Sequence, residues 1–166
     1  MHALLALRKF PSDYQQARAF RAHARGMRHS DTTLWWWQVL TGFALFFLVS
    51  IHLYVMLTQP DRIGPFASAD RVWSDHFWPL YLVLLFAVEL HGGIGLYRLA
   101  IKWGWFEGTD PPATRRRLKL LKWGLTAFFL VLGLATLAAY IKIGIDHAPQ
   151  RGQLYTPAWA APGNAK

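Results

Sequence analysis

Three stretches of this chain are apolar over lengths sufficient to cross a bilayer, and that leaves few folds open to it. Residues 35–59 (WWWQVLTGFALFFLVSIHLYVMLTQ) carry no charged side chain, and residues 78–103 and 123–141 are nearly as apolar. A helix crosses the hydrocarbon core with about 20 such residues. The mean hydropathy of +0.17 hides this, because it averages these runs with polar blocks. The chain is expected to be an all-α membrane protein, a transmembrane helical bundle with three complete spans and an N-terminal helix stub. We expect the stub over residues 1–10, a cytoplasmic segment over 11–34, spans over 35–59, 78–103 and 123–142, an outer loop over 60–77, a cytoplasmic loop and helix start over 104–122, and a tail over 143–166.

The ends of the spans have their own signals. Asp31, followed by Thr32 and Thr33, suits an N-cap, Trp35 to Trp37 form an aromatic belt, and Pro60 closes the first span. Trp78 and Trp103 flank the second. Asp110, Pro111 and Pro112 read as a cap with proline at the helix start. A helix from there to Lys142 would be about 46 Å long, so Arg115, Arg116, Arg117, Lys119 and Lys122 are expected to stand in the aqueous phase.

Lys and Arg then orient the chain. Arg8, Lys9, Arg18, Arg21, Arg25 and Arg28 precede the first span, and Lys102 to Lys122 carry a second basic group, whereas the loop between spans one and two has only Arg62 and Arg71. The basic segments are expected on the cytoplasmic side. The net charge of +9 therefore calls for no nucleic acid. It suits anionic lipid, and an acidic soluble partner as well. The chain has no Cys, which excludes disulfides, thiolate metal sites and thiol catalysis, so any metal must sit on His or carboxylate. The N-terminal residues do not read as a cleavable signal peptide, because their positive charges follow the short apolar run.

Ionisable residues inside hydrocarbon are costly and are functional candidates by default. His52 and His91 each lie within a span, and His2 lies on the apolar stub HALLAL. A single such histidine is as well explained by a hydrogen bond to a neighbouring helix. Three in a Cys-free chain point instead to axial ligation of haem, for which helix bundles offer inward-facing side chains. Depth sorts them: His52 lies about 25 Å from the cytoplasmic end of its span and His91 about 18 Å, so they are expected to serve different irons. His2 suits the same haem as His91, and His52 is left without a partner in this chain. Gly92, Gly93 and Gly95 either clear a face for a flat macrocycle or allow close helix packing. Glu89 projects about 160° away from His91 around the helix, so it is not a second ligand. It is a candidate proton carrier, or a neutral acid bonded to a nearby backbone. Arg98 and Lys102 either reach the headgroups or pair with haem propionates, and Arg71 suits a propionate on the outer side. His23, His29, His76 and His147 are expected at the surface.

The stretches LALRKFPSDY, MRHSDTTLWWWQ, TGFALFFLVSIHLYVMLTQP and IGPFASADRVWSDHFWPLYLVLLFAVELHGGIGLYRLAIKWGWFEG closely resemble the di-haem cytochrome b membrane subunit of epsilonproteobacterial quinol:fumarate reductases, within the succinate:quinone oxidoreductases. The resemblance covers roughly residues 2–142. It implies a multi-pass subunit of the bacterial inner membrane with five spans and two b haems. It carries electrons from menaquinol to an iron–sulfur subunit and an FAD subunit, where fumarate becomes succinate. It implies His2 and His91 as the proximal pair and His52 as one distal ligand. By the same resemblance Glu89 matches an acidic position implicated in proton movement, Arg71 and Lys102 match positions near haem propionates, and Trp35 matches one lining a haem pocket. The family's first helix, its distal ligand and an acidic residue near the quinol site have no counterpart here. Met1 is accordingly expected to mark a late start codon, a frameshift or a fragment boundary. A haem-free anchor for the soluble subunits is the competing reading, and a small transporter or proton channel using Glu89 is a third.

Overall fold

The structure, a computed structural model, describes residues 2–8, 12–27 and 30–157, with the side chains of His2, Ala3 and Leu7 outside that description. Its elements in chain order are α1 (His2–Leu7), α2 (Tyr14–Gly26), α3 (Ser30–Thr58), a 3₁₀ turn (Pro60–Arg62), α4 (Pro65–Trp73), α5 (Trp78–Lys102), α6 (Pro111–His147) and a second 3₁₀ turn (Ala148–Gln150). No strand occurs among the described residues. Three of these helices are long and apolar enough to span a membrane, with mean hydropathies of 2.1, 1.7 and 2.1. Only 6% of the most apolar window of α3, and the same share of α6's, is buried inside the protein. Side chains such as Leu57 and Phe128 are 78% and 62% exposed. Surface of this kind is stable only against hydrocarbon, so the chain is a membrane protein.

The helix ends depart from expectation where tertiary bonds compete with local caps. α3 begins at Ser30, so Asp31 lies in its first turn and is not the N-cap. Its carboxylate is taken instead by side chains from two other helices. α2 was expected only as part of a cytoplasmic segment; Asp13 starts it by accepting from the Gln16 N–H at 2.8 Å. α4 lies where an outer loop was expected, and Pro65 at its first position suits a helix start. α5 ends in a reverse cap. Gly104 adopts φ +64°, its N–H reaches the Ile101 carbonyl at 3.4 Å, and Trp105 N–H reaches that of Ala100 at 2.9 Å. Such a left-handed residue is steric freedom that glycine supplies. For α6 the expected cap holds, since the Asp110 carboxylate accepts from Ala113 N–H at 3.2 Å. The helix then runs five residues beyond Lys142, to His147.

The chain divides into two compact units, Met1–Phe47 with Ala87–Thr126 and Leu48–Phe86 with Ala127–Lys166, and the three long helices contribute to both. The first unit is built on Leu34, Ile94, Tyr97, Ala100 and Leu118, with Ile101 packed against them. Its polar tie is Asp31, which accepts from Tyr97 Oη at 3.1 Å and pairs with Lys119 at 3.0 Å and Arg115 at 3.7 Å. A hydrogen bond to a charged acceptor contributes about 1.5–3 kcal/mol when partly shielded. Lys122, expected in water, is only 5% exposed; its Nζ lies 3.4 Å from the Trp123 ring centroid and has no hydrogen-bond partner among the described residues. The position of α6 against α5 explains this. A Cβ at Gly93 would meet Thr126 Oγ1 at 2.3 Å and Lys122 Cγ at 3.7 Å, so the helices touch where Lys122 begins.

In the second unit α4 is the buried element, with Ala69 at 0%, Asp70 at 1% and Arg71 at 3% exposure. α6 approaches it at Gly144, where a Cβ would lie 2.7 Å from the Ala69 carbonyl. Helix packing through such a contact requires glycine. His147, expected at the surface, is 5% exposed. Its ring stacks on Phe66 with centroids 4.3 Å apart, and its Nδ1 donates to Asp70 Oδ1 at 3.0 Å. Gly152 N–H donates to Asp70 Oδ2 at 2.9 Å, Tyr155 packs edge-on to Phe66, and Arg151 pairs with Asp75. The segment after α6 is thereby fastened to α4.

Burial alone would push the Asp70 carboxyl up, but the Gly152 N–H, His147 and Arg151 outweigh it and hold Asp70 below its ordinary 3.8. A carboxylate so depressed stabilises the fold fully above its ordinary pKa, and that stability is lost as pH falls through the lowered value. Asp70→Asn should therefore lower the thermal midpoint at neutral pH yet lose less on acidification from about pH 6 to about pH 3 than the parent protein does. Thermal unfolding in detergent, followed by circular dichroism across that range, measures the difference; parallel curves for the two proteins would refute it.

Candidate functional site

The intramembrane histidines divide between the two units, His91 in the first and His52 in the second. Each is placed by α-helical neighbours that offer few polar groups, so each hydrogen bond it makes is informative.

His91 projects from α5 toward a stretch of α3 where the packing leaves room for a ring. Gly42 supplies that room: a Cβ there would lie 2.9 Å from His91 Cε1 and 3.3 Å from Nδ1. The Nδ1 atom lies 3.0 Å from the Gln38 carbonyl and 3.3 Å from Thr41 Oγ1. Thr41 itself donates back along α3 to the Trp37 carbonyl at 2.7 Å. A carbonyl oxygen only accepts, so the proton must be on Nδ1, and Nε2 then carries the imidazole lone pair. In that tautomer Nε2 could ligate an iron, with the ring orientation set by a backbone acceptor. The glycines near His91 serve different ends. Gly93 is filled by Thr126, a Cβ at Gly95 would meet Gln38 Nε2 at 3.1 Å, and only Gly92 faces open space.

His52 is placed differently. Its ring meets Tyr81 of α5 edge-on at 5.7 Å, and its Nδ1 is buried with no hydrogen-bond partner among the described residues. A buried polar atom left so costs about 1–3 kcal/mol, which is tolerated where an additional group completes the site. Arg71 of α4, in the same unit, is also incompletely satisfied. Its Nη2 donates to the Arg62 carbonyl at 2.8 Å and its Nη1 contacts Met56 Sδ at 3.9 Å, while Nε has no partner. An orphaned guanidinium N–H is a group that a haem propionate would satisfy, whereas an iron on His52 Nε2 would leave its Nδ1 to a further acceptor; Lys122 Nζ and His147 Nε2 are buried without a partner among the described residues as well. His91, through Nε2, and Arg71, through Nε, therefore fit the cofactor. No cluster of three or more His, Cys, Asp or Glu suited to a bare metal ion occurs among the described residues.

The remaining candidates are less closely held. His2 belongs to α1, but its side chain lies outside the described residues, as does His29. Trp35 is half-buried between Phe20 of α2 and Trp36, with both ring centroids 5.0 Å away. Glu89 is half-buried and makes no hydrogen bond or ion pair with another described residue. Lys102 is exposed and lies 5.8 Å from the Trp103 ring, and Arg98 is exposed. Gln38, Thr41, Gly42 and Tyr81 were not among the expected site residues. A threonine and a glycine side by side within an otherwise apolar run were the available signal for two of them.

A family model described as the succinate dehydrogenase/fumarate reductase transmembrane subunit matches residues 15–134. The chain belongs to this family. It is 61% identical over 145 residues to the fumarate reductase cytochrome b subunit of Wolinella succinogenes, covering 87% of this chain and 57% of that protein. The fumarate reductase cytochrome b subunit of Helicobacter pylori is 57% identical over 146 residues, covering 88% of this chain and 56% of the relative. A more distant relative, the succinate dehydrogenase hydrophobic membrane anchor subunit of Archaeoglobus fulgidus, is 36% identical over 63 residues, 37% of this chain and 54% of its own length. The chain thus spans a little over half the length of these curated relatives. All of α3, α4 and α5, with the glycine-lined contact at His91, lie inside the matched region.

Gly42→Val is expected to drive the His91 ring off the Gln38 carbonyl and to destabilise the protein by about 1–3 kcal/mol through overpacking. Thr41→Val should leave the ring in place, because the carbonyl is the acceptor. The readout is the hydrogen-bonded Nδ1–H resonance in protein labelled with ¹⁵N-histidine. Its loss in Thr41→Val would show that the threonine, and not the carbonyl, orients the ring.

Proposed function

We propose that this chain acts as a cytochrome b membrane anchor subunit of a fumarate reductase or succinate dehydrogenase in the bacterial inner membrane. In this role it passes electrons from menaquinol through b haems to partner subunits that carry iron–sulfur clusters and FAD. The observation that carries the reading is the Nδ1 to carbonyl bond of His91, which presents Nε2 as a ligand in a Gly42-cleared contact. Haem b, when bound, supplies reversible one-electron transfer at a site shielded from water. His91 with His2 would hold one haem and His52 would supply one ligand to the other. Arg71, buried with its Nε unpartnered, offers a cation to a propionate, and Lys102 offers one from the exposed end of α5. Gly92 leaves open a face on which a macrocycle can lie, and Trp35 would line a pocket wall; Gly93 contributes by letting α6 close on α5. Glu89 has no competing hydrogen bond or ion pair among the described residues, which supports a role in taking up or releasing a proton at its carboxyl group as electrons move.

Two experiments test this. A reduced-minus-oxidised visible spectrum of the purified protein with its partner subunits should show b-type bands. His91→Ala and His52→Ala should each remove about half of their amplitude, at different midpoint potentials. Absence of the bands in the parent protein would leave the haem-free anchor as the better reading, and loss of all amplitude in either variant would mean one haem, not two. Glu89→Gln should keep both haems while slowing quinol-dependent turnover. Loss of haem in that variant would assign Glu89 to the haem pocket and remove its proton role.

A further inference from the structure

The first turns of α6 present one side that is basic at its outer end and apolar toward the span. Pro112, Arg116, Lys119, Leu120 and Trp123 recur at helical spacing and, with Pro111 and Arg115, line an open groove of about 590 Å³. Asp31 partly neutralises Arg115 and Lys119, at 3.7 and 3.0 Å. Arg116 is exposed and makes no ion pair with any described residue, so the groove keeps a net positive charge. Leu120 and Trp123 are 66% and 50% exposed and continue toward the apolar part of the helix. Tryptophan at such a position sits at headgroup depth, and each Lys or Arg near an anionic surface adds about one factor of five in affinity.

We propose that this groove is a binding site for one anionic phospholipid. Arg116 and Lys119 take the phosphate, Leu120 and the Trp123 ring take the upper part of an acyl chain, and Asp31 and Ser30 of α3 hold Lys119 in place. A cation above an apolar surface complements an amphiphilic anion in both parts. The groove is lined by α6 alone, with Asp31 of α3 beside it.

The test uses the purified protein with its partner subunits in detergent. Native mass spectrometry would measure retention of added phosphatidylglycerol against phosphatidylcholine of the same chain length. Phosphatidylglycerol should be retained preferentially. Arg116→Gln should weaken that retention about fivefold, and Trp123→Ala should shorten the lifetime of the adduct. Arg117→Gln removes the same charge one position along the helix, on a residue that does not line the groove, and should leave retention unchanged. Inorganic phosphate at the same concentration should not displace the lipid. Equal weakening by Arg116→Gln and Arg117→Gln would overturn the site in favour of a diffuse basic surface, and equal retention of the two lipids would overturn it outright. If Arg116→Gln releases the soluble subunits while lipid retention is unaffected, the groove is a protein-docking face and the proposal fails.

Discussion

Within the first unit, the geometry around His91 depends on one hydrogen bond from its Nδ1 to the Gln38 carbonyl. In hydrocarbon no water is available to satisfy an imidazole N–H, and the backbone of a neighbouring helix has already committed one lone pair of each carbonyl to its own ladder. The second lone pair remains, but a side chain reaches it only if nothing stands between the helices. Gly42 removes the obstruction and Gly95 lets Gln38 lie close, so α3 and α5 meet at a distance that a histidine can bridge. The same contact fixes the tautomer. A packing requirement and a chemical requirement are therefore met by the same few residues, and neither Gly42 nor His91 can change without affecting both.

The polar groups of the second unit are unevenly satisfied. Asp70 is matched by His147 and Gly152, and the pair is closed over by Phe66 and Tyr155. Arg71, its neighbour on α4, and His52 each retain a buried nitrogen without a partner among the described residues, as does His147 at Nε2. Low dielectric makes the first arrangement rigid and the second costly. The satisfied half fastens the segment after α6 to α4. The two histidines differ at Nδ1, which a carboxylate accepts from in His147 and which has no partner among the described residues in His52.

The elements that sequence reasoning recovered are those governed by local or solvent-averaged physics. Predominantly apolar runs about as long as a bilayer is thick give spans irrespective of what packs against them, and Asp110 with two prolines starts α6 through bonds within a single turn. The departures all involve partners distant in the chain. Asp31 has the composition of a cap but is drawn to Tyr97 and Lys119, and Lys122 belongs to a basic run but falls where α6 closes on Gly93. α4 is short and has a charged pair at its centre, so Pro65 is a weak local signal for it, and its burial comes from Gly144 and His147.

By itself, the amino-acid sequence determined that this chain crosses a membrane on three helices and that His52 and His91 lie at depths where ionisable groups require a reason. Both follow from transfer of side chains into hydrocarbon, which depends on residue type and spacing alone. Which nitrogen of His91 carries the proton, which of the adjacent glycines is open, and which histidine is held by a carboxylate were decided by the tertiary structure. Those outcomes rest on approaches of about 3 Å between residues tens of positions apart, and hydrogen bonds are too short-ranged and directional for helical periodicity to place them.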